Sequence, residues 1–444
     1  MSPTVMNGRS LPTTRKVLRE EESFRAEDDD DDSSKRITLN RNTGNVARTV
    51  VSSKVRVLLL GAKRKQPHHN IIVVVVSQPM MKAAVYREFG GPIRIEDLPI
   101  PKCPADGVLV QVGATGVCRS DWHGWRGHDG DIIAHGLPFV PGHEFSGTVV
   151  QVGPSITSAF RAGDRVVAPF ILSCGTCRFC RPPYHQPTVC LHQQQPGFTY
   201  FGSFAEFVAI PRAARNVKKL PDRVSLVQAA ALGCRFTTAY RAVLQQGRLQ
   251  AGQSVGISGC GGVGLSCIMC AVAQKAYPII AVDVSQRNLA KARQLGATHV
   301  MWVGGDGAQQ KEVTRQAVKA LTAEGLGCDL AIDAAGFAAT CENAVHCTRR
   351  GGRMVQVGLP IGETKPVVPM GLVAAHEIEI VGSHGFDADD LPQLLDMVAN
   401  QALDPAVLVE RQVSLEQGAA ALMDMDHGSP LGVTVITQFR SAHL

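Results

Sequence analysis

The stretch 254–266, SVGISGCGGVGLS, constrains the fold of this 444-residue chain more than any other. Gly259, Gly261 and Gly264 stand in G-x-G-x-x-G spacing between a β-type run and an apolar helical run. Glycines there permit a tight turn and let backbone amides, that of Gly262 among them, approach a pyrophosphate at the start of a helix. Asp283 ends the next apolar run, PIIAVDV, 19 residues beyond Gly264. A carboxylate at that place accepts hydrogen bonds from the adenosine ribose and repels a 2′-phosphate. The pattern predicts a dinucleotide site and favours NAD over NADP, with Arg287 as the one nearby group able to accommodate the extra phosphate.

The surroundings extend the same reading. After Val255, six strand-like runs alternate with helical ones: SVGISG, PIIAVDV, THVMWV, CDLAIDAAG, GRMVQVG and EIEIVGS. That alternation predicts a doubly wound parallel sheet of the Rossmann type, an α/β fold. Residues 82 to about 230 instead show short apolar runs broken by Gly and Pro, such as GVLVQVGATGV and GSFAEFVAI, the texture of a β-rich domain. DADDLPQLLDMVANQAL reads as a helix, and GVTVIT as a final strand.

Hydrophobic residues make up 45% and charged residues 19%, enough for a sizeable core in two or three domains. No apolar run approaches the ~20 residues that span a bilayer. The net charge of +6 lies almost wholly in residues 1–80, with 14 Lys/Arg against 9 Asp/Glu; the remaining 364 residues hold 31 against 30. The body therefore offers no electrostatic basis for a nucleic-acid or membrane partner. Residues 1–80, with EDDDDD and GAKRKQPHHN, cannot bury enough apolar surface to order themselves and are expected to be mostly disordered. The Asp run argues against a mitochondrial transit peptide. Folded structure is expected to start near Met80 or Met81, where MKAAVYREFGGPIRIEDLPIP begins a strand–turn–strand texture.

The chain has 13 cysteines. With no signal peptide in view, the expectation is reduced thiols in a cytoplasmic protein. Cys267 and Cys270 sit in an apolar helical run and read as core. Cys174, Cys177, Cys180 and Cys190 can supply four thiolates to a closed, tetrahedral zinc site. A second, dispersed set comprises Cys118, His143 with Glu144, and Cys234; three ligands and an open position suit a catalytic zinc, although each residue singly could be structural.

These motifs carry a resemblance. GVCRSDWH, PGHEFSGTVVQVG, CGTCRFC, LGCRFTTAYRA, GCGGVGLS and AVDVS, in that order, resemble the zinc-dependent medium-chain alcohol dehydrogenases from Met81 to the C-terminus. The resemblance implies a GroES-like catalytic domain at 81–234, its zinc lobe at about 174–190, a Rossmann domain at 235–383, and a return to the catalytic domain at 384–444. It implies two zinc ions per chain: a catalytic one on Cys118, His143 and Cys234, with Glu144 close behind, and a structural one. It implies that Asp121 orients the ligand histidine, and that a zinc-stabilised alkoxide gives a hydride to NAD. Its proton leaves through Ser120, the cofactor ribose and His123. Arg119 is implied to contact the pyrophosphate, Thr238 and Val263 the nicotinamide, and Phe170 the substrate, a small alcohol or aldehyde. A homotetramer or homodimer is implied by analogy.

The chain departs from the family in one respect. Nine residues separate Cys180 from Cys190 where seven are usual, so the fourth structural ligand is expected to be Cys190, with His185 as the alternative. Trp122 and Trp125 either narrow the cleft mouth or pack the loop. A zinc-free enone or quinone reductase would lack the Cys118/His143/Cys234 set. A non-enzymatic cofactor-binding or zinc-stabilised structural protein would not need Ser120, Asp121 and His123 beside three metal ligands.

Overall fold

The computed structural model describes residues 78–304, 308–360, 365–428 and 430–440, together with the backbone of the strands Val51–Ser52, Val55–Leu60 and Ile71–Val76. Those three strands pair antiparallel within a first unit, Met1–Pro79. All three strands fall within residues 1–80, the segment expected to be mostly disordered ahead of a fold starting near Met80; the rest of that segment lies outside the described residues.

The second unit, Met80–Leu444, contains two principal sheets. One is built around Val108–Val117, which pairs antiparallel with Glu144–Val152, Phe207–Ile210 and Val433–Gln438. Arg165–Val167 and Lys218–Lys219 extend it on one side, and Val409–Ser414 on the other. The sheet is thus completed by strands from both ends of the unit. The chain leaves it after residue 219 and returns at 409.

The intervening residues form the six-stranded parallel sheet that the alternation predicts. Its order is His299–Trp302, Ile279–Asp283, Val255–Ser258, Cys328–Asp333, Thr348–Gln356 and Glu379–Gly382. In chain order this reads 3-2-1-4-5-6, the doubly wound arrangement whose ligand crevice lies beyond the C-terminal ends of the strands. Residues of both sheets share one apolar core: Ala114, Val167 and Val435 belong to the same cluster as Ile257, Leu330 and Val355. The two sheets are therefore bound into a single body.

Local chemistry sets the helices. Gly262–Ala273 is apolar all round and buries Gly264 through Ala271 against the first parallel strand, so Cys267 and Cys270 are core residues. Gln286–Gln294 is amphipathic: Ser285 caps the Asn288 amide, Leu289 and Ala292 face inward, and Lys291 and Arg293 occupy the last turn.

The glycine loop shows why its spacing matters. Gly259 adopts φ +89°, and a Cβ on Gly264 would stand 1.8 Å from the Gly259 carbonyl oxygen. Gly261 meets nothing within 4 Å. Gly264→Ala is accordingly expected to lower the unfolding free energy by about 1–3 kcal/mol, while Gly261→Ala should leave it nearly unchanged. Denaturant titration of both variants checks this, and equal effects would refute the packing argument.

Candidate active site

Cys118 follows the central antiparallel strand and stands at the N-cap position of the short helix Arg119–Trp125. The carboxylate of Asp121, on the first turn of that helix, is almost fully buried and accepts three hydrogen bonds. Its Oδ2 takes the Cys118 amide at 3.1 Å. Its Oδ1 takes the Gly142 amide at 3.0 Å and His143 Nδ1 at 2.8 Å. With Nδ1 donating, His143 Nε2 is left as an acceptor; it is buried and has no hydrogen-bond partner. An orphaned acceptor of this kind costs ~1–3 kcal/mol, which a metal ion would offset.

The ligand atoms of Cys118, His143, Glu144 and Cys234 lie within 4.8 Å of one another. Cys118 takes a hydrogen bond from the Cys234 thiol and faces Arg235, so it is held well below the ordinary thiol range despite burial; Cys234 is pushed up in return. Two thiols beside a buried imidazole nitrogen with no hydrogen-bond partner are a donor set that suits a divalent cation.

Glu144 is held differently. Its Oε1 accepts from the amides of Cys234 and Arg235, both at 3.3 Å, and from Arg235 Nε at 3.1 Å. Its Oε2 accepts from the same guanidinium at 3.0 Å. Burial pushes the carboxyl up to about 7 against the pull of Arg235. Arg235 also donates to the Val117 carbonyl at 2.8 Å, joining the central strand, the His143–Glu144 segment and the Cys234 helix. Sequence reading missed Arg235; a lone cation inside AAALGCRF is the signal that was available.

Ser120 and His123 lie on the Cys118 helix, three residues apart and so on one helical face. His123 Nδ1 is 3.2 Å from His128 Nδ1, a neighbour the sequence reading did not weigh. Burial, then Arg119 and His128, lower His123 to about 4. Arg119 stacks over the Trp122 ring at 3.6 Å and donates to the Met425 carbonyl. Trp125 is buried and donates to the Gly91 carbonyl, so it packs the loop. Phe170 and Phe198 flank the His143 ring, at 5.8 and 5.0 Å between centroids; Phe198 was not foreseen.

At the parallel sheet, Asp283 Oδ2 accepts the Cys260 amide at 2.6 Å and Oδ1 the Ser285 amide at 2.7 Å, which ties the carboxylate to the glycine loop. Gly262, Val263 and Gly264 open the following helix. Arg287 is exposed on the next helix, and Thr238 is buried one turn after Cys234.

Cys174, Cys177, Cys180 and Cys190 form a lobe at 174–190. Their Sγ atoms lie within 4.8 Å of one another, and three of the separations are 3.5, 3.8 and 3.9 Å. Four thiolates around a zinc at ~2.3 Å have edges of about 3.8 Å, so the lobe fits that ion. Amides of Cys177, Cys174 and His192 donate to the sulfurs at 3.2–3.3 Å. Against burial, hydrogen bonds from Thr176 and Cys177 bring Cys174 down to about 5, while burial and its neighbours push Cys180 up to about 12. His185 is exposed and outside the cluster, so the fourth position is occupied by Cys190.

The buried ion pair yields a prediction. Arg235→Met removes the only cation paired with the buried Glu144 carboxylate among the described residues, leaving it two backbone amides, and is expected to cost about 3–5 kcal/mol of stability. Adding Glu144→Gln should recover part of that loss in a double-mutant cycle; strict additivity would show that the pair is not coupled.

Comparison with known proteins agrees with this architecture. Residues 104–222 match the alcohol dehydrogenase GroES-like domain family, and residues 262–400 the zinc-binding dehydrogenase family. An alcohol dehydrogenase of Geobacillus stearothermophilus is 34% identical over 74% of this chain and 92% of its own length. A sorbitol dehydrogenase of Bacillus subtilis is 33% identical over 77% and 92%. The solved alcohol dehydrogenase of the hyperthermophilic archaeon Aeropyrum pernix is similar with a TM-score of 0.68 and 30% identity, covering 80% of this chain and 99% of that one. With both domain families matched in order, this chain belongs to the zinc-dependent medium-chain alcohol dehydrogenases and is an oxidoreductase of that family.

Proposed function

We propose that the protein reversibly oxidises an alcohol to an aldehyde or ketone, with a catalytic zinc and with NAD as hydride acceptor. The observation that carries this reading is the buried, unpartnered Nε2 of His143 facing two thiols in a site that also holds a carboxylate. Cys118, His143 and Cys234 would hold the metal. Zinc bound by three protein ligands supplies Lewis acidity that lets a hydroxyl lose its proton near neutral pH.

The chain's own residues do the rest. Asp121 keeps His143 in the tautomer that leaves Nε2 free. Ser120 receives the proton and His123 carries it toward solvent. Lowered to about 4, His123 is neutral at working pH and releases a proton to solvent rather than holding it. Phe170 and Phe198 keep water from the wall beside His143. The amides at Gly259–Gly264 and the start of the following helix hold the pyrophosphate, with Arg119 adding charge. Thr238 and Val263 border the nicotinamide. Asp283, oriented by two backbone amides, supports NAD over NADP, with Arg287 left exposed on the next helix. The substrate on this reading is a small alcohol or aldehyde.

Initial rates of NADH formation across a panel of alcohols, before and after chelation, test the proposal. Turnover should vanish with the chelator and return with added zinc. A zinc-loaded, NAD-binding protein that turns over no alcohol would refute it.

The second ion gives a separate check. Cys190→Ser should reduce bound zinc from two equivalents per chain to one and lower the unfolding temperature, whereas His185→Ala should keep both. Metal content by atomic emission distinguishes them, and loss of zinc from the His185 variant would reverse the assignment.

A further inference from the structure

One polar side chain beside the site serves neither the metal cluster nor the glycine loop. His384 follows the sixth parallel strand, Glu379–Gly382, at the C-terminal edge of the sheet, where ligands of such folds bind. Its ring meets Phe170 edge-on, with centroids 5.7 Å apart. Phe170 in turn stands 5.8 Å from His143. A single aromatic ring therefore separates His384 from the metal cluster. The contact is close along the backbone as well, since a Cβ on Gly385 would come within 2.1 Å of Ile171 and 3.2 Å of Phe170.

The His384 ring is solvent-exposed, and among the described residues neither of its nitrogens has a hydrogen-bond partner. Enough protein nevertheless surrounds it that burial, helped by Arg241, lowers its basicity. The ring is thus open to water on one side and bordered by protein on the other. It is neutral at pH 7 and so presents one N–H donor and one acceptor.

The charges nearby narrow the choice of ligand. Arg241 has a buried Nε without a partner and donates to Gln245 at 3.2 Å. Asp387 and Asp390 offset its charge, and Asp387 is paired with Arg215 at 2.9 Å. A wall with this balance has no surplus cation to hold a carboxylate or phosphate. A donor–acceptor group on such a wall suits a neutral hydroxyl, which is itself both donor and acceptor.

We infer that His384 determines specificity by hydrogen-bonding a second hydroxyl of the substrate, so that the enzyme favours diols and polyols over plain alcohols of the same length. Phe170 lies between that hydroxyl's site and the metal cluster and accommodates the intervening carbons. The inference rests on the dehydrogenase reading above, and names the substrate class for the same site.

The test uses the full chain, zinc-loaded, with NAD. It compares kcat/KM for butan-1-ol with kcat/KM for butane-1,2-, 1,3- and 1,4-diol. The wild type should prefer at least one diol. His384→Leu should reduce that diol-to-monool ratio about tenfold, the scale of one hydrogen bond, and His384→Gln, which keeps a donor and an acceptor, should retain most of it. The ratio is insensitive to general damage, because both substrates share the same metal and cofactor. A wild type with no diol preference, or an equal loss on both substrates in His384→Leu, would overturn the inference while leaving the dehydrogenase reading intact. A wild type with no turnover of any alcohol would overturn both.

Discussion

The carboxylate of Asp121 is the interaction on which the site depends. One buried group holds the amide of Cys118, the amide of Gly142 and the ring of His143, residues that come from two separate loops. A buried carboxylate is costly unless its lone pairs are met, and here three donors meet them. The same bonds set which histidine nitrogen is protonated. The geometry of Cys118 and His143 and the local backbone are therefore one structure, and neither can shift alone.

Around that point the fold supplies two further ties. The Glu144–Arg235 pair links the central antiparallel strand to the helix after Cys234, inside a region where neither charge meets water. The shared apolar core then joins the antiparallel and parallel sheets, so the Cys118–His143–Cys234 cluster and the glycine loop belong to one body. Arg215 adds ion pairs with Asp387 and Asp389 close to where His384 meets Phe170. These contacts fix the segment that carries His384 against Phe170.

Much of this was legible in the sequence, for reasons that differ by residue. The parallel sheet was readable because strand and helix periods alternate over six repeats, and the glycine loop because its spacing answers a local steric demand. The four-cysteine lobe was readable because its first three ligands fall within seven residues, 174–180. The dispersed set was another matter: Cys118, His143 and Cys234 span 117 positions, and only the family resemblance connected them. Arg235, Phe198 and His128 escaped notice because nothing in their immediate sequence announces a partner. His384 was equally silent, since its importance lies in a ring contributed more than two hundred residues earlier.

By itself, then, the sequence determined what local order can encode: the class of fold, the glycine loop, the composition of the four-cysteine lobe, and the membership of the family. Tertiary structure alone decided the rest. It decided that Cys190 rather than His185 completes the lobe, because two extra residues in the last gap still let that thiol reach the other three. It decided that Glu144 is paired with Arg235 and that His143 keeps a bare Nε2, because both depend on which groups are buried together. Burial and proximity are properties of the folded chain, and residues far apart in sequence acquire them only when the sheets close.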